Sequence, residues 1–243
     1  MKTYQSRISN LIYSFFQNIL FWLTNLIIAI YCGIYFDGSN YSIFVRIILS
    51  FLSGFFAMMF GYWVHVYSHY VDHEKVFQRL LPKYVLETKI VKYILYYLDF
   101  HVKIHHSKEG NTSYNMVFEG FQNLLSQSVL LIVIILSLNY LLNITIPANF
   151  LMILLWGIFY VSMHFINYNF FESNAHKQHH INPKTNYGID TFDIMFGSQS
   201  HPNDNERFNN FSINNIIILI CIKFIYINNI INEFVCGNFI YNL

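Results

Sequence analysis

Four apolar runs separated by polar connectors set the pattern of this chain. They extend from about Ile19 to Tyr35, Ile43 to Val64, Leu124 to Ile144 and Phe150 to Phe165. A membrane-crossing helix needs about 20 mostly apolar residues, so each run predicts a transmembrane helix. The first is extended upstream by softer apolar residues. The second carries Arg46, whose aliphatic stem allows the guanidinium to reach the near interface. Short connectors, Asp37-Gly38-Ser39-Asn40 and Asn143 to Asn149 with Pro147, join the runs in pairs. Each pair therefore reads as an antiparallel hairpin. A fifth stretch, Ile213 to Val235, is apolar but interrupted by Lys223, Glu233 and several Asn. That pattern favours a helix lying in the interface over a fifth span. Gln17 and Asn18 break the first run, and no small-residue cleavage site follows it, so it reads as a retained anchor.

The basic residues orient these helices. The short connectors carry no Lys or Arg. The segment between the pairs carries Lys75, Arg79, Lys83, Lys89, Lys92, Lys103 and Lys108. Lys2 and Arg7 precede the first run, and Lys177, Lys184 and Arg207 follow the fourth. Positive residues favour the cytoplasmic side, which puts every histidine group on one face. The expected fold class is an all-α integral membrane protein, with about four transmembrane helices in two hairpins under a cytosolic histidine-rich helical cap. Three parts are expected: 1–42, an N-terminal cytosolic segment and first membrane helix; 43–198, the main domain; and 199–243, the apolar tail.

Composition agrees with a membrane protein. The chain is 55% hydrophobic and only 11% charged, against about 25% charged in soluble domains. Its net charge of +1 gives no reason to expect a nucleic-acid partner. Cys32, Cys221 and Cys236 lie apart in apolar stretches and suggest buried thiols, not a disulfide framework or thiolate metal site. The Asn/Ile-rich stretch near 213–231 reads as compositional bias, not as a prion-like segment. The sequons at Asn40 and Asn143 lie too close to the predicted spans to be expected acceptors.

Ten of the eleven histidines form three groups. His65, His69 and His73 recur every four residues, one stripe of a helix if the second run continues past Val64. The second group is His101, His105 and His106. The third is His164 followed by His176, His179 and His180. Ten imidazoles exceed what one metal takes and fit two. Neutral imidazole suits Fe, Zn, Cu and Ni. Asp72, Asp99, Glu172, Asp190 and Asp193 are candidates for orienting ring N–H groups, with Asp99 and Asp193 the preferred two. His201 has no matched partner and is left out of the site.

The ordered motifs resemble the fatty acid hydroxylase/sterol desaturase superfamily. They are Tyr62-Trp63-Val64-His65 through His69, then His101 to His106, then His176-x-x-His179-His180 with Asn186-Tyr187-Gly188 and Asp193-x-x-Phe196-Gly197-Ser198. The resemblance covers roughly Ile43 to Ser198. It implies a bundle of membrane helices with a cytosolic helical domain, at the endoplasmic reticulum in a eukaryotic host. It also implies two non-haem iron ions, O2 as co-substrate, a lipid substrate in the membrane, and hydroxylation or desaturation. The resemblance assigns the catalytic positions to His65, His69, His105, His106, His179 and His180. The wider metal-binding set adds His73, His101, His164 and His176. Three features depart from the family pattern. The middle motif is H-x3-HH where sterol-modifying members have H-x2-HH. The gap from His69 to His101 is long and contains His73. No fused cytochrome b5 domain is expected, so electrons are expected from a separate donor such as cytochrome b5 and its reductase. Three other readings fit a histidine-rich membrane chain: a zinc hydrolase, a metal transporter, and an inactive scaffold that keeps the fold. The first lacks an HExxH pattern here. The second usually places ionisable ligands mid-span, whereas these histidines fall at helix ends.

Overall fold

The computed structural model describes residues 2–37, 39–106, 113–168, 174–201 and 212–227. Among them there are only helices and their connections. Three helices are long and apolar enough to cross a membrane: Ile43–Tyr70, Asn115–Leu142 and Phe150–Asn167. A fourth candidate is the pair Arg7–Gln17 and Ile19–Tyr35, bent by 67° at its break. Helix α1 (Lys2–Gln17) ends where Gln17 and Asn18 interrupt the apolar run, and α2 (Ile19–Tyr35) has the predicted bounds of the first span.

Helix α3 (Ile43–Tyr70) starts at Ser42, whose hydroxyl accepts from Val45 N. Such a cap satisfies a backbone donor that the first turn leaves unpaired. The helix continues well past Val64. Its buried stripe is Ser50, Ser53, Gly54, Ala57, Met58, Gly61, Tyr62 and His65, the i, i+3, i+4 repeat of a packed helix face. Small residues on that stripe let the helices approach closely, as membrane helix packing requires. A Cβ on Gly33 of α2 would lie 2.7 Å from Ile47 Cα, and one on Gly54 would lie 2.7 Å from Met152 Cε. Arg46 turns back to the connector and donates to Asp37 O at 2.6 Å.

Between α3 and the next span come α4 (His73–Leu80), α5 (Lys83–Leu86), α6 (Lys89–Phe100) and a π-helical turn, π1 (His101–His105). Asp72 and Thr88 cap α4 and α6 by accepting from Lys75 N and Val91 N. The Asn115–Leu142 span is built of α7 (Ser113–Leu124), π2 (Leu125–Val129) and α8 (Leu130–Leu142). None of the residues of α8 is buried, as expected for an apolar helix whose surroundings are lipid. Asn143 ends it in the left-handed conformation, φ 51°.

The next span is α9 (Phe150–Ser162) followed by π3 (Met163–Asn167). Asn149 caps α9 through Met152 N at 3.0 Å and pins its start to α3, donating to Ser50 Oγ at 2.9 Å while Ser53 Oγ accepts from its backbone N–H. Further along, Trp156 lies against Gly61, and Phe159 against Phe21 of α2. These contacts bring the histidine-bearing ends of α3 and α9 to the same end of the helix layer.

Three helices complete the described chain: α10 (Asn174–Ile181), α11 (Asp190–Phe196) and α12 (Ser212–Ile227). Helix α1 packs on α11, and Asn10 donates to Gln199 Oε1 at 2.9 Å. Helix α12 runs along α2, with Asn215 at Thr24 and Tyr226 against Tyr31, Tyr35 and Phe36. Its Ile218 and Ile222 are buried in the core. Cys32 and Cys221 are free thiols. Lys108, Glu172, Arg207, Glu233, Cys236 and the end of the apolar tail lie outside the described residues.

Candidate metal centre

Four segments deliver histidines to one place. Helix α3 carries His65 on its buried stripe and the half-buried His69 one turn later. π1 and the residue after it carry His101, His105 and His106. The end of the α9 span carries His164, and α10 carries His176, His179 and His180. Nine of these rings form one connected cluster. Their centroids are 4.4 Å apart for His65–His101, 4.7 Å for His65–His179, 4.8 Å for His69–His106, 4.5 Å for His106–His180, 4.7 Å for His105–His180 and 5.7 Å for His164–His176.

Two sets of ligand atoms stand out within the cluster. The first is His65, His69, His101 and His179, whose nitrogens all lie within 4.8 Å of one another. The second is His105, His176 and His180, with His164 joined to it through His105 and Glu119. His106 lies between the two, its Nε2 3.4 Å from His101 Nε2 and its ring beside His180.

His73 stands apart. Its Nδ1 lies 2.8 Å from Asp99 Oδ1, and Lys103 Nζ lies 2.8 Å from Asp99 Oδ2. The i, i+4, i+8 stripe breaks because α3 ends at Tyr70 and Asp72 caps a new helix at His73. His101 does join the cluster. The backbone N–H of His106 bonds to His101 O at 3.3 Å, an i→i+5 bond. That wider turn brings His101 and His106 together across the intervening residues. Single π-turns within helices are frequent at functional sites.

Hydrogen bonds to the far side of several rings fix their tautomers. His65 Nδ1 bonds to Tyr187 O, and His179 Nδ1 lies 2.6 Å from Thr185 O. A carbonyl oxygen only accepts, so both Nδ1 atoms carry hydrogen. In neutral rings both Nε2 atoms then present lone pairs, and these face each other at 3.1 Å. Facing lone pairs repel, and a cation between them removes the repulsion. A proton is a poor candidate, because burial and then the neighbouring imidazoles hold His179 down at about 3. Burial, reinforced by adjacent rings, likewise lowers His101 and His176 well below the usual range, His106 to about 2 and His180 to about 4. Neutral imidazole is the form that ligates a metal. The buried Nε2 of His105 and Nδ1 of His106 have no hydrogen-bond partner. The donor set thus fits metal cations, and imidazole without thiolate suits iron, zinc, copper or nickel.

The loop that supplies those carbonyls is itself tightly held. Asn186 adopts φ 53°, donates to Ala175 O at 3.1 Å and Ser200 Oγ at 2.9 Å, and accepts from Ser200 N at 2.9 Å. Asp193 accepts from Tyr187 N at 2.9 Å, Gly188 N at 3.1 Å and Ser198 Oγ at 2.6 Å. Burial pushes the Asp193 carboxyl up to about 6, against these donors, which favour the charged form. Gly197, at φ 76°, closes α11 with its N–H on Asp193 O, a left-handed position suited to glycine. Asp193 thus acts on His65 through the backbone of Tyr187 and touches no ring. Of the described imidazoles Asp99 pairs with His73 alone, Asp72 is a helix cap paired with Lys75, and Asp190 is buried at the start of α11.

Compared with family models, with curated proteins and with solved structures, the chain matches none. What the centre does is therefore inferred from its own residues.

One participant is absent from the sequence-level site. Glu119 of α7 accepts from His105 Nδ1 at 3.0 Å and lies 3.9 Å from His164 Nε2. It is the sole acidic residue of the apolar Asn115–Leu142 span. An ionisable residue in such a helix marks function by default, and that signal was present in the sequence.

Proposed function

We propose that this chain is a membrane-bound, non-haem di-iron oxidoreductase that uses O2 to hydroxylate or desaturate a lipid, such as a fatty acyl chain or a sterol. The observation that carries the reading is the convergence of nine buried or half-buried imidazoles from four segments, with paired ring nitrogens facing each other. His65, His69, His101 and His179 would hold one ion, and His105, His164, His176 and His180 the other, with His106 between them. Bound iron would supply the redox chemistry that lets dioxygen attack an unactivated carbon–hydrogen bond. The protein's part is to keep the rings neutral, fix their tautomers from outside and exclude water with the aromatic shell of Tyr62, Tyr160, Tyr168 and Tyr187. The motif order of the fatty acid hydroxylase/sterol desaturase superfamily supports the same reading. In this view the spans form two antiparallel hairpins and the histidine end faces the cytosol, at the endoplasmic reticulum in a eukaryotic host. Electrons come from a separate donor of the cytochrome b5 and reductase kind.

One observation favours a zinc hydrolase instead: Glu119 places a carboxylate beside the rings. Metal content and product separate the two. Expressed in yeast membranes, the chain is expected to carry about two irons and to yield a new hydroxylated or unsaturated lipid by mass spectrometry. His180→Ala should remove that lipid. Zinc in the purified protein, together with lipid profiles identical in wild type and variant, would sink the oxidoreductase reading.

A further inference from the structure

The two halves of the centre are held from outside by different chemistry. His65 and His179 rest on the peptide carbonyls of Tyr187 and Thr185, which are neutral. His105 rests on the Glu119 carboxylate. That carboxylate is only 13% exposed and lies within a membrane-spanning helix. Its ion-pair partners are the imidazoles of His105 and His164, and among the described residues no Lys or Arg forms an ion pair with it. The contrast with Asp99 is direct, since Lys103 compensates that buried carboxylate at 2.8 Å. An unpaired charge in a low-dielectric interior is strongly disfavoured. His164 adds a second constraint. Its Nδ1 lies 3.1 Å from Tyr160 O and carries the hydrogen, so its Nε2 lone pair faces the carboxylate oxygen at 3.9 Å. Two acceptors this close favour a cation nearby.

Resting on the di-iron reading, we propose that the centre has two unlike metal positions, and that Glu119 makes the His105–His164–His176–His180 position the tighter one. Glu119 is a positioning residue. It fixes the His105 tautomer with Nε2 toward the cluster, strengthens that ring as a donor and supplies the negative charge that a dication there offsets. The His65–His69–His101–His179 position has no such anion among the contacts that orient its rings.

Cobalt tests this without turnover. The purified full chain in detergent, stripped by chelator, is titrated with Co2+ and followed by its visible absorption. The wild type is expected to take up two ions in two steps with different spectra. Glu119→Gln should weaken the tighter step by about 10–100-fold and leave the other step's spectrum and affinity in place. His65→Ala should do the converse. Equal affinities and identical spectra in the wild type would overturn the proposal, as would a Glu119→Gln that weakens both steps alike or neither. If Glu119→Gln does not fold, the wild-type titration alone decides. Uptake of fewer than two ions by the wild type would instead overturn the two-metal reading beneath it.

Discussion

His179→Ala is expected to cut the metal content from about two ions per chain to about one and to abolish the lipid product. His179 is completely buried and lies at the centre of the first ligand set. Its ring packs against those of His65, His69 and His106, and its Nε2 faces that of His65 at 3.1 Å. Alanine removes the ligand and leaves the His65 lone pair with nothing opposite it. Helix α10, which carries His179, is an eight-residue element outside the membrane-spanning helices, so the bundle keeps its packing. Losing one ligand from a set that acts as a unit costs nearly the whole activity, here a fall in product of at least about 100-fold. Elemental analysis and lipid mass spectrometry on one preparation check both halves. A variant retaining full metal and product would remove His179 from the centre.

The second large effect is expected at Asp193, which touches no imidazole. Asp193→Asn keeps the shape but puts an amide N–H2 among the donors Tyr187 N, Gly188 N and Ser198 Oγ. At least one of these loses its acceptor within the buried site, where Asp193 is 2% exposed. Hydrogen bonds to a charged group and the penalty for an orphaned donor together give a loss of about 3 kcal/mol. Tyr187 moves with its N–H, and His65 then loses the carbonyl that fixes its tautomer. Metal affinity at the first position should fall by about 10–100-fold, together with a lower thermal midpoint in detergent. An unchanged midpoint with unchanged metal binding would show that the loop is held by other contacts.

Much of this was legible before the fold. The spans were readable because lipid-facing helices must be apolar along their length, and α2 begins and ends where its run does. The three histidine groups were readable because helical spacing and doubling are local features. What sequence spacing missed depends on where helices stop and how they wind. His73 continues the i+4 series on paper, yet Val71 and Asp72 turn the chain before it, and the Asp72 cap was the available sign. His101 departs from the H-x2-HH spacing, and only the wider turn shows why it still meets His106. Glu119 belongs to no histidine motif and sits in a separate apolar span. It reaches His105 because the Asn115–Leu142 span passes beside the turn that carries that ring.

The i→i+5 turn at His101–His105 also makes this stretch sensitive to its length. A wider turn holds one residue more than ordinary winding between two points on the same helix face. Deleting Val102 would return the segment to ordinary winding and turn His101 relative to the doubled histidine that follows. The rings on either side of the deletion would then no longer share one focus.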